Sequence, residues 1–383
     1  MFAHLLCAPD NEPKRPRNTI RLSLERLETR ECPAVIIFNV NTTDDTPLVN
    51  SFEDPDTKAI VLEDKNKNVS LRSVVEYAKN NVLTGAYAQN HYEVRLNGVS
   101  GKTISLSGGE LGKLTSNFNF VGSGVTVERP LASEGQIRLF EVGAETVTRF
   151  FEMTLRNGNV ITAGGAILNM GEAKIEACTL TDNTAFQGGG AIFSGNNSKL
   201  TITNTVLGLN NTNGSGGAIA VDGALLVSIT GCSILGNKTT ANLAGQGYGG
   251  GIYLANTASA TLDSTNIIGN EAKQDGGGIY VSNTPLIMNG GQLTGNIAAA
   301  FGGGIYVDAV DKVVTLSKVS VTQNSAGQKG GGAYVLNGTL DGSITVLSKN
   351  TATGGIPGIG YNKANKATAP ITIDGGEQIK EED

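Results

Sequence analysis

The feature that most constrains the fold is a repeat of 26 to 33 residues in the second half of the sequence. Seven short segments end on an asparagine: TLTDN, VLGLN, SILGN, NIIGN, QLTGN, SVTQN and VLSKN. Their last residues are Asn183, Asn210, Asn237, Asn270, Asn296, Asn324 and Asn350, in steps of 27, 27, 33, 26, 28 and 26 residues. A period of this length indicates a stacked array in which each copy is one structural unit.

A glycine cluster before a short apolar run marks the same period a second time. The clusters are GGAIL at Gly164, GGAIF at Gly189, GGAIA at Gly216, GGGIY at Gly249, Gly276 and Gly302, and GGGAY at Gly330. Each copy therefore holds a glycine corner, a strand such as GIYV, a second strand such as ATLDSTNI, and a polar corner that carries the asparagine. Within the strands apolar residues alternate, as in a sheet with one buried face.

One copy cannot bury its apolar face alone, so the chain must coil until equivalent strands stack about 4.8 Å apart. We therefore predict an all-β fold, a right-handed single-stranded parallel β-helix of about ten coils. Glycine suits the corner because it adopts positive φ and permits close approach of the next coil. The seven asparagines are expected to pass amide hydrogen bonds from coil to coil as a ladder.

The sequence divides into four predicted parts. Residues 1–34 form a leader that is disordered or processed, 35–91 an N-terminal cap, 92–375 the β-helix, and 376–383 a charged tail. In the cap, Leu71, Val74, Val75 and Ala78 share one helical face behind a serine N-cap at Ser70. We expect this short helix to cover the first coil, whose apolar surface and strand edges are otherwise open.

Composition and cysteine spacing exclude several classes of function. The net charge is −6 without a lysine–arginine stripe, so neither nucleic acid nor an anionic membrane surface is an expected partner. The sequence contains no run of eighteen apolar residues, so we predict no transmembrane helix.

The four cysteines, Cys7, Cys32, Cys178 and Cys232, fit no metal-binding spacing, and we predict no metal site and no cofactor. Cys178 and Cys232 are expected two coils apart, nearly 10 Å, too far for a disulfide.

The repeat motifs resemble those of chlamydial polymorphic outer membrane proteins, in which G-G-A-I and F-x-x-N motifs are paired. Here Leu180 and Ile267 stand at phenylalanine positions. The segment NVSLRSVVEYAKNN is similar to the C-S-L-R-E-A-I cap of secreted bacterial β-helix proteins, with Val69 at the cysteine position. LERLETRECPA, residues 24–34, resembles an N-terminal export motif of planctomycete surface proteins. These resemblances imply an extracellular or cell-envelope protein, with adhesion or surface binding as its function.

Tyrosines at one repeat position are the first candidate ligand-binding residues. They are Tyr253, Tyr280, Tyr306 and Tyr334. Each follows an inward-facing isoleucine or alanine, so alternation places the tyrosines outward and in register on neighbouring coils. An exposed aromatic strip of this kind stacks on sugar rings or anchors a protein partner. The alternative is that the rings only stabilise neighbouring strands.

The second candidate is the insertion that lengthens one repeat, KTTANLAGQGYGGG at residues 238–251, which adds Tyr248 to the candidate binding residues. Loops that project from a rigid scaffold often carry specificity, although an idle surface loop is the alternative interpretation.

We predict a non-catalytic binding protein of the cell surface or extracellular medium, with a glycan or a protein as ligand. One alternative is a carbohydrate-active enzyme, a polysaccharide lyase or glycoside hydrolase, and another is a structural component of the envelope. Hydrolysis needs two placed carboxylates, and elimination needs a base beside a cation. Asp222, Asp263 and Asp308 do not share one register, and we predict no catalytic residues. The sequence does not indicate an oligomeric state.

Overall fold

The structure is a computed structural model that describes residues 35–56, 59–83, 90–132, 135–240, 245–365, 367–373 and 379–382. All of them belong to one compact unit, residues 34–383. The predicted leader and its export motif lie outside the described residues, as do Cys7 and Cys32.

Each coil contributes up to four strand positions, which we call A, B, C and D in chain order. Strands at the A, B and C positions form one sheet of 27 strands, and the D strands form a second sheet of eight. Ladder pairs between successive coils are parallel, as in Ile252–Ala255 with Ile279–Ser282. The predicted fold class, an all-β parallel β-helix of about ten coils with a short capping helix, is confirmed.

The strand bounds are as follows. The A strands are Lys113–Leu114, Phe140–Val142, Ile167–Asn169, Ile192–Ser194, Ile219–Asp222, Ile252–Ala255, Ile279–Ser282, Ile359–Asn362 and Ile379–Glu382. The B strands are Val35–Asn39, His91–Arg95, Glu172–Glu176, Lys199–Thr203, Leu226–Thr230, Ala260–Asp263, Leu286–Asn289 and Ile371–Ile373. The C strands are Thr103–Ser105, Thr179–Thr181, Val206–Gly208, Ser233–Leu235, Asn266–Ile268 and Gln292–Thr294.

The D strands are Asn159–Val160, Thr184–Ala185, Asn211–Thr212, Lys238–Thr239, Glu271–Ala272, Ile297–Ala298, Ser325–Ala326 and Thr351–Ala352. Four long strands pass through more than one position: Phe118–Glu128 and Val147–Arg156 cover B and C, whereas Ile305–Thr322 and Ala333–Ser348 cover A, B and C. Outside the coils, Asn50–Glu53 pairs antiparallel with Ile60–Glu63, and short 3-10 helices occupy Asn97–Val99 and Lys363–Asn365.

The glycine clusters allow the chain to turn from the D strand of one coil into the A strand of the next. Gly276 has φ of 70°, and a Cβ there would lie 2.4 Å from the Ile279 carbonyl oxygen. A Cβ on Gly277 would lie 2.4 Å from the carbonyl oxygen of Gly303 in the following coil. Both distances exclude a side chain, so glycine is required at these two positions.

The predicted capping helix spans Leu71–Asn80. The Ser70 hydroxyl accepts the Ser73 N–H, and the Ser73 side chain accepts the Ser70 N–H, which completes a capping box. The face that holds Val74 and Val75 is buried against the solenoid. Arg72 on the same helix is buried and pairs with Asp45 at 2.7 Å. The helix and its serine N-cap are therefore confirmed.

The solenoid pairing extends beyond both predicted boundaries. Val35–Asn39, placed in the cap by the sequence analysis, pairs in parallel with His91–Arg95 as the first B strand. At the other end Ile379–Glu382, in the predicted charged tail, pairs with Ile359–Asn362. Both strands hydrogen-bond to a strand edge that would otherwise stay unpaired, which explains why the β-structure does not begin at residue 92 or end at 375.

The interior changes character along the axis. In the first coils it holds a row of rings that we call the inner aromatic stack: Phe38, Tyr92, Phe118, Phe120, Phe140 and Phe150. Neighbouring ring centroids lie 5.0–6.1 Å apart. Later coils fill the same space with aliphatic side chains such as Ile219, Ile252 and Ile279.

Both cysteines in the described residues, Cys178 and Cys232, are buried free thiols, as predicted. Cys178 aligns with Thr205 of the next coil, whose hydroxyl accepts the Cys178 N–H at 3.2 Å. Burial raises the pKa of Cys178 to about 11, so this thiol stays protonated at neutral pH.

Candidate functional site

The seven predicted asparagines lie in one buried column at the corner between the C and D strands. The side-chain oxygen of each later asparagine accepts both the backbone N–H and the Nδ2 of the asparagine before it, at 2.9–3.1 Å. Each Nδ2 also donates to a carbonyl of the preceding coil, as Asn270 does to Ile234 at 3.0 Å. We call these residues the asparagine column. Because the column is buried, it supports the scaffold and offers no surface to a ligand.

The predicted tyrosines are adjacent on the A strands. Tyr253 pairs with Tyr280, Tyr280 with Tyr306, and Tyr306 with Tyr334. Their ring centroids lie 5.4, 5.1 and 6.0 Å apart, and each pair is stacked. Only 9%, 5% and 3% of Tyr280, Tyr306 and Tyr334 is exposed. The prediction of an exposed aromatic strip is therefore wrong for these three rings, which point outward but are covered, whereas Tyr253 at the start of the row is partly exposed.

The cover comes mainly from two residues that each precede a glycine cluster. Tyr248, from the inserted segment, lies 4.6 Å from Tyr280 between ring centroids, and Phe301 lies 4.8 Å from Tyr334. Leu336 packs against the same cluster. We call the four tyrosines at positions 253, 280, 306 and 334 the outer tyrosine row. Sugar binding by stacking needs an accessible ring face, so this row is a small second core.

Asp275 occupies the same corner position between Tyr248 and Phe301, as successive backbone hydrogen bonds from the glycine clusters show. Its Oδ1 accepts the Phe301 N–H at 2.9 Å. Burial, with a contribution from the Asp308 carboxylate, raises the pKa of Asp275 to about 6. Burial and Asp308 also raise the pKa of Tyr280. Asp275 was not among the predicted site residues, although its place before GGG aligns it with two aromatic residues.

The three outward carboxylates do not share one register, although two of them do. Asp222 pairs with Ala255, Ala255 with Ser282, and Ser282 with Asp308, so Asp222 and Asp308 share one register. Asp222 and Asp308 are each the last outward-facing residue at the A position of their coil. Three coils separate them, about 14 Å, which is more than the roughly 9.5 Å that spans the two carboxyl groups of a glycosidase. Asp263 lies on a B strand, so its register differs from the one that Asp222 and Asp308 share.

A groove lies at the corner between the A and B strands, where the connecting segments differ in length. The segments 143–146 and 195–198 each have four residues, whereas 170–171, on the coil between them, has two. The short corner between two long ones leaves a cavity of about 450 Å³, which we call the first corner groove. It is lined by Ala144, Glu145, Thr146, Val147, Met170, Gly171, Glu172, Asn196, Asn197 and Lys199.

The groove combines an apolar floor with exposed amide and charged groups. Met170 packs against Gly195, where a Cβ would lie 2.7 Å from the methionine sulfur. Glu172 contacts Lys199 at 3.7 Å between Oε2 and Nζ. Asn196 is exposed, and its amide offers both a donor and an acceptor. The sequence repeats did not reveal this groove, because it depends on differences in corner length.

These stacked parallel coils define the chain as a parallel β-solenoid. Residues 163–367 match the family model described as the right handed beta helix region, and the chain belongs to this family. The matched span contains the asparagine column, the outer tyrosine row and most of the first corner groove. No curated protein and no solved structure matches the chain significantly. The family match supports the β-helix part of the predicted resemblance, while the finer motif resemblances stay predictions.

Two further findings concern only the described part of the chain. Within it, no helix has the length and apolarity needed to cross a membrane. Histidine, cysteine, aspartate and glutamate side chains form no group of three or more, among these residues, that is placed to hold a metal ion.

Proposed function

We propose that this protein is a non-catalytic, glycan-binding β-helix protein of the cell surface or extracellular medium. The observation that carries the proposal is the first corner groove. Its volume of about 450 Å³ falls within the range of small-ligand sites, about 300–1,000 Å³. Its lining, apolar at Met170 and polar at Asn196 and Lys199, suits a sugar, which has an apolar C–H face and hydroxyls that donate and accept hydrogen bonds.

Neighbouring coils limit the freedom of two polar groups in the groove. Asn196 lies against Gly223 of the next coil, where a Cβ would be 1.9 Å from the asparagine Oδ1. The Glu172 carboxylate contacts Lys174 at 2.7 Å and Lys199 at 3.7 Å. Groups that are fixed before binding lose less conformational entropy when a ligand arrives, which favours affinity for a small polar unit.

The surface location rests on the resemblance of residues 24–34 to an export motif and of the repeats to those of outer membrane proteins. It is tested separately from binding. Intact cells of the source organism are treated with a protease that cannot enter them, and the protein is followed by immunoblot. Loss of the full-length band is expected, and a band that survives on intact cells but disappears after lysis would contradict the surface location.

Binding is tested on a glycan array followed by calorimetry with the glycans retained. Wild-type protein is compared with Asn196→Ala and Lys199→Ala, two exposed changes in the groove, and with Asn289→Ala, an exposed asparagine on a B strand away from it. We expect each groove variant to bind about tenfold more weakly, since one lost hydrogen bond is worth about 1.4 kcal/mol. Asn289→Ala should bind like wild type.

Two outcomes would overturn the glycan proposal. Absence of any retained glycan is one, and binding that is indifferent to Asn196→Ala and Lys199→Ala is the other. A wild-type protein that retains no glycan but captures a protein ligand would replace the proposal with protein adhesion.

One observation favours a second candidate function, glycoside hydrolysis. Asp275 has a pKa raised to about 6 and is influenced by the Asp308 carboxylate, and such shifts often mark catalytic acids. Incubation with polysaccharides, with measurement of reducing ends and of unsaturated products, decides between the two functions. Product release by wild type that Asp275→Asn abolishes would make the protein an enzyme, whereas the proposed function predicts no release.

A further inference from the structure

The A–B corner carries a second groove that is built in the same way. Four residues, 309–312, connect Asp308 to Val313 on one coil, whereas Gly338 alone separates Asn337 from Thr339 on the next. The unequal corners leave a cavity of about 530 Å³, which we call the second corner groove. It is lined by Val310, Asp311, Lys312, Val313, Asn337, Gly338, Thr339 and Asn365.

The two grooves offer a ligand the same kinds of contact through different residues. Val310 and Val313, which are 57% and 48% exposed, take the place of Met170 as the apolar surface. Lys312 supplies the ammonium group that Lys199 supplies in the first groove, and Asn365 supplies an exposed amide. Both grooves therefore suit a sugar by the same argument.

The grooves are aligned along the solenoid. Successive A–B corners lie one above another, because the A strands and the B strands on either side are each paired in parallel from coil to coil. Six coils separate Gly171, in the short corner of the first groove, from Gly338, in that of the second. At about 4.8 Å per coil the separation is about 29 Å.

The corners between the two grooves carry an exposed row of hydrogen-bonding groups. The Nδ2 of Asn256 donates to Oδ1 of Asp222 at 2.9 Å, and the Nδ2 of Asn283 donates to Oδ1 of Asn256 at 3.1 Å. All three side chains are exposed. Asn256 and Asn283 each follow the A strand of successive coils directly, and Asp222 is the last residue of the A strand on the coil before them. A ligand that leaves one groove along this corner meets amide and carboxylate groups before it reaches the other.

We propose that both grooves bind a single extended polysaccharide chain that runs along the A–B corner. The proposal rests on the proposed function and specifies its ligand as a polymer at least about 29 Å long. Occupation of the first groove holds the chain near the second, so the second contact forms at a high effective concentration. A chain that spans both grooves therefore binds more tightly than a fragment that fills one.

The test uses the polysaccharide that the array retains, cut by partial acid hydrolysis into size fractions, with Kd measured for each fraction. The expected result is weak, constant affinity for fractions shorter than about 29 Å, and affinity at least about 100-fold higher for longer ones. The double variant Lys312→Ala, Asn365→Ala, exposed in the second groove, should lose this gain and keep wild-type affinity for short fractions. Asn289→Ala should keep both.

The outcomes separate the two proposals. If short fractions bind and long fractions bind no more tightly, the two-groove inference is overturned and the proposed function stays intact. The same holds if long fractions bind more tightly and keep this higher affinity in the double variant Lys312→Ala, Asn365→Ala. Absence of binding by every fraction and by the intact polysaccharide would overturn both.

Discussion

The first coils and the later coils both stack aromatic rings along the axis, but on opposite sides of the sheet. From Phe38 to Phe150 the rings point inward and form the inner aromatic stack. From Tyr253 to Tyr334 they point outward and form the outer tyrosine row. Centroid distances are similar in the two, 5.0–6.1 Å inside and 5.1–6.0 Å outside. Where two rings lie on paired residues of neighbouring coils, as Phe120 and Phe150 do at 5.5 Å, the coil spacing sets their separation on either face. The inner stack also contains contacts within one coil, such as Phe118 with Phe120 and Phe140 with Phe150.

What differs is the source of burial. The inner stack is enclosed by its own coils, whereas the outer row is covered by Tyr248 and Phe301, which reach over from the corners. The asparagine column begins at Asn183, after the inner stack has ended at Phe150. The first coils thus depend mainly on packed rings, and the later coils add a buried hydrogen-bond network to an aliphatic interior.

The largest effect is expected from a cavity in the inner stack. Phe120 is fully buried, and its ring lies 5.2 Å from Phe118, 5.2 Å from Phe140 and 5.5 Å from Phe150. Phe120→Ala should lower the free energy of unfolding by about 3–5 kcal/mol, because surrounding rings cannot close the space. Urea denaturation followed by circular dichroism measures it. Phe186→Ala, a largely exposed ring, is the control, and an equal loss in both variants would contradict a special role for the stack.

The next effect concerns the asparagine column. Asn270→Ala removes the acceptor for the N–H and Nδ2 of Asn237 and the donor to the Ile234 carbonyl. Buried groups left unpaired cost about 1–3 kcal/mol each, so we expect a loss of about 2–4 kcal/mol in the free energy of unfolding. Asn289→Ala, an exposed asparagine, should stay within about 0.5 kcal/mol of wild type. A loss below about 1 kcal/mol for Asn270→Ala would mean that water replaces the missing amide.

A smaller loss is expected in the outer tyrosine row. Tyr306→Ala removes a ring stacked between Tyr280 and Tyr334, in a cluster much smaller than the main core. We expect a loss of about 2 kcal/mol, below that of Phe120→Ala. Tyr306→Phe keeps the ring and should change stability by less than about 0.5 kcal/mol. If Tyr306→Ala destabilised as much as Phe120→Ala, the distinction between inner core and outer cover would fail.

Much of the scaffold could be predicted from the sequence, because a repeat of known period determines which residues become lateral neighbours. The period predicts the column from Asn183 to Asn350 and the absence of a disulfide between Cys178 and Cys232. Alternation within the strands predicts the outward direction of the tyrosines. The helix at Leu71–Asn80 was predictable from its serine cap and apolar face.

The candidate site was not predictable, because it depends on how segments of different coils fit together. Tyr280 is buried because the ring of Tyr248, a residue of the irregular insertion, packs against it. The first corner groove exists because 170–171 is two residues shorter than its neighbours 143–146 and 195–198. Strand ends assigned from a sequence pattern are uncertain by at least this difference, so the pattern alone does not reveal the groove.

The smallest expected effect tests a feature that the outer row has and the inner stack lacks, a carboxylate among the rings. Burial raises the pKa of Asp275 to about 6 from the ordinary 3.8. The folded protein therefore binds this proton more tightly than the unfolded chain does, and protonation stabilises the fold. This contribution to stability is present at pH 4, is lost as the pH rises through 6, and amounts to about 1 kcal/mol for a partly exposed group. The side chain of Asp275→Asn carries no charge at any pH. The free energy of unfolding of this variant relative to wild type, measured by urea denaturation, should therefore increase between pH 4 and pH 7. Asp341→Asn, an exposed aspartate, controls for loss of one negative charge. A difference between Asp275→Asn and wild type that stays constant across this range would show that the outer row leaves its carboxylate as well hydrated as the surface does, and that its cover is looser than that of the inner stack.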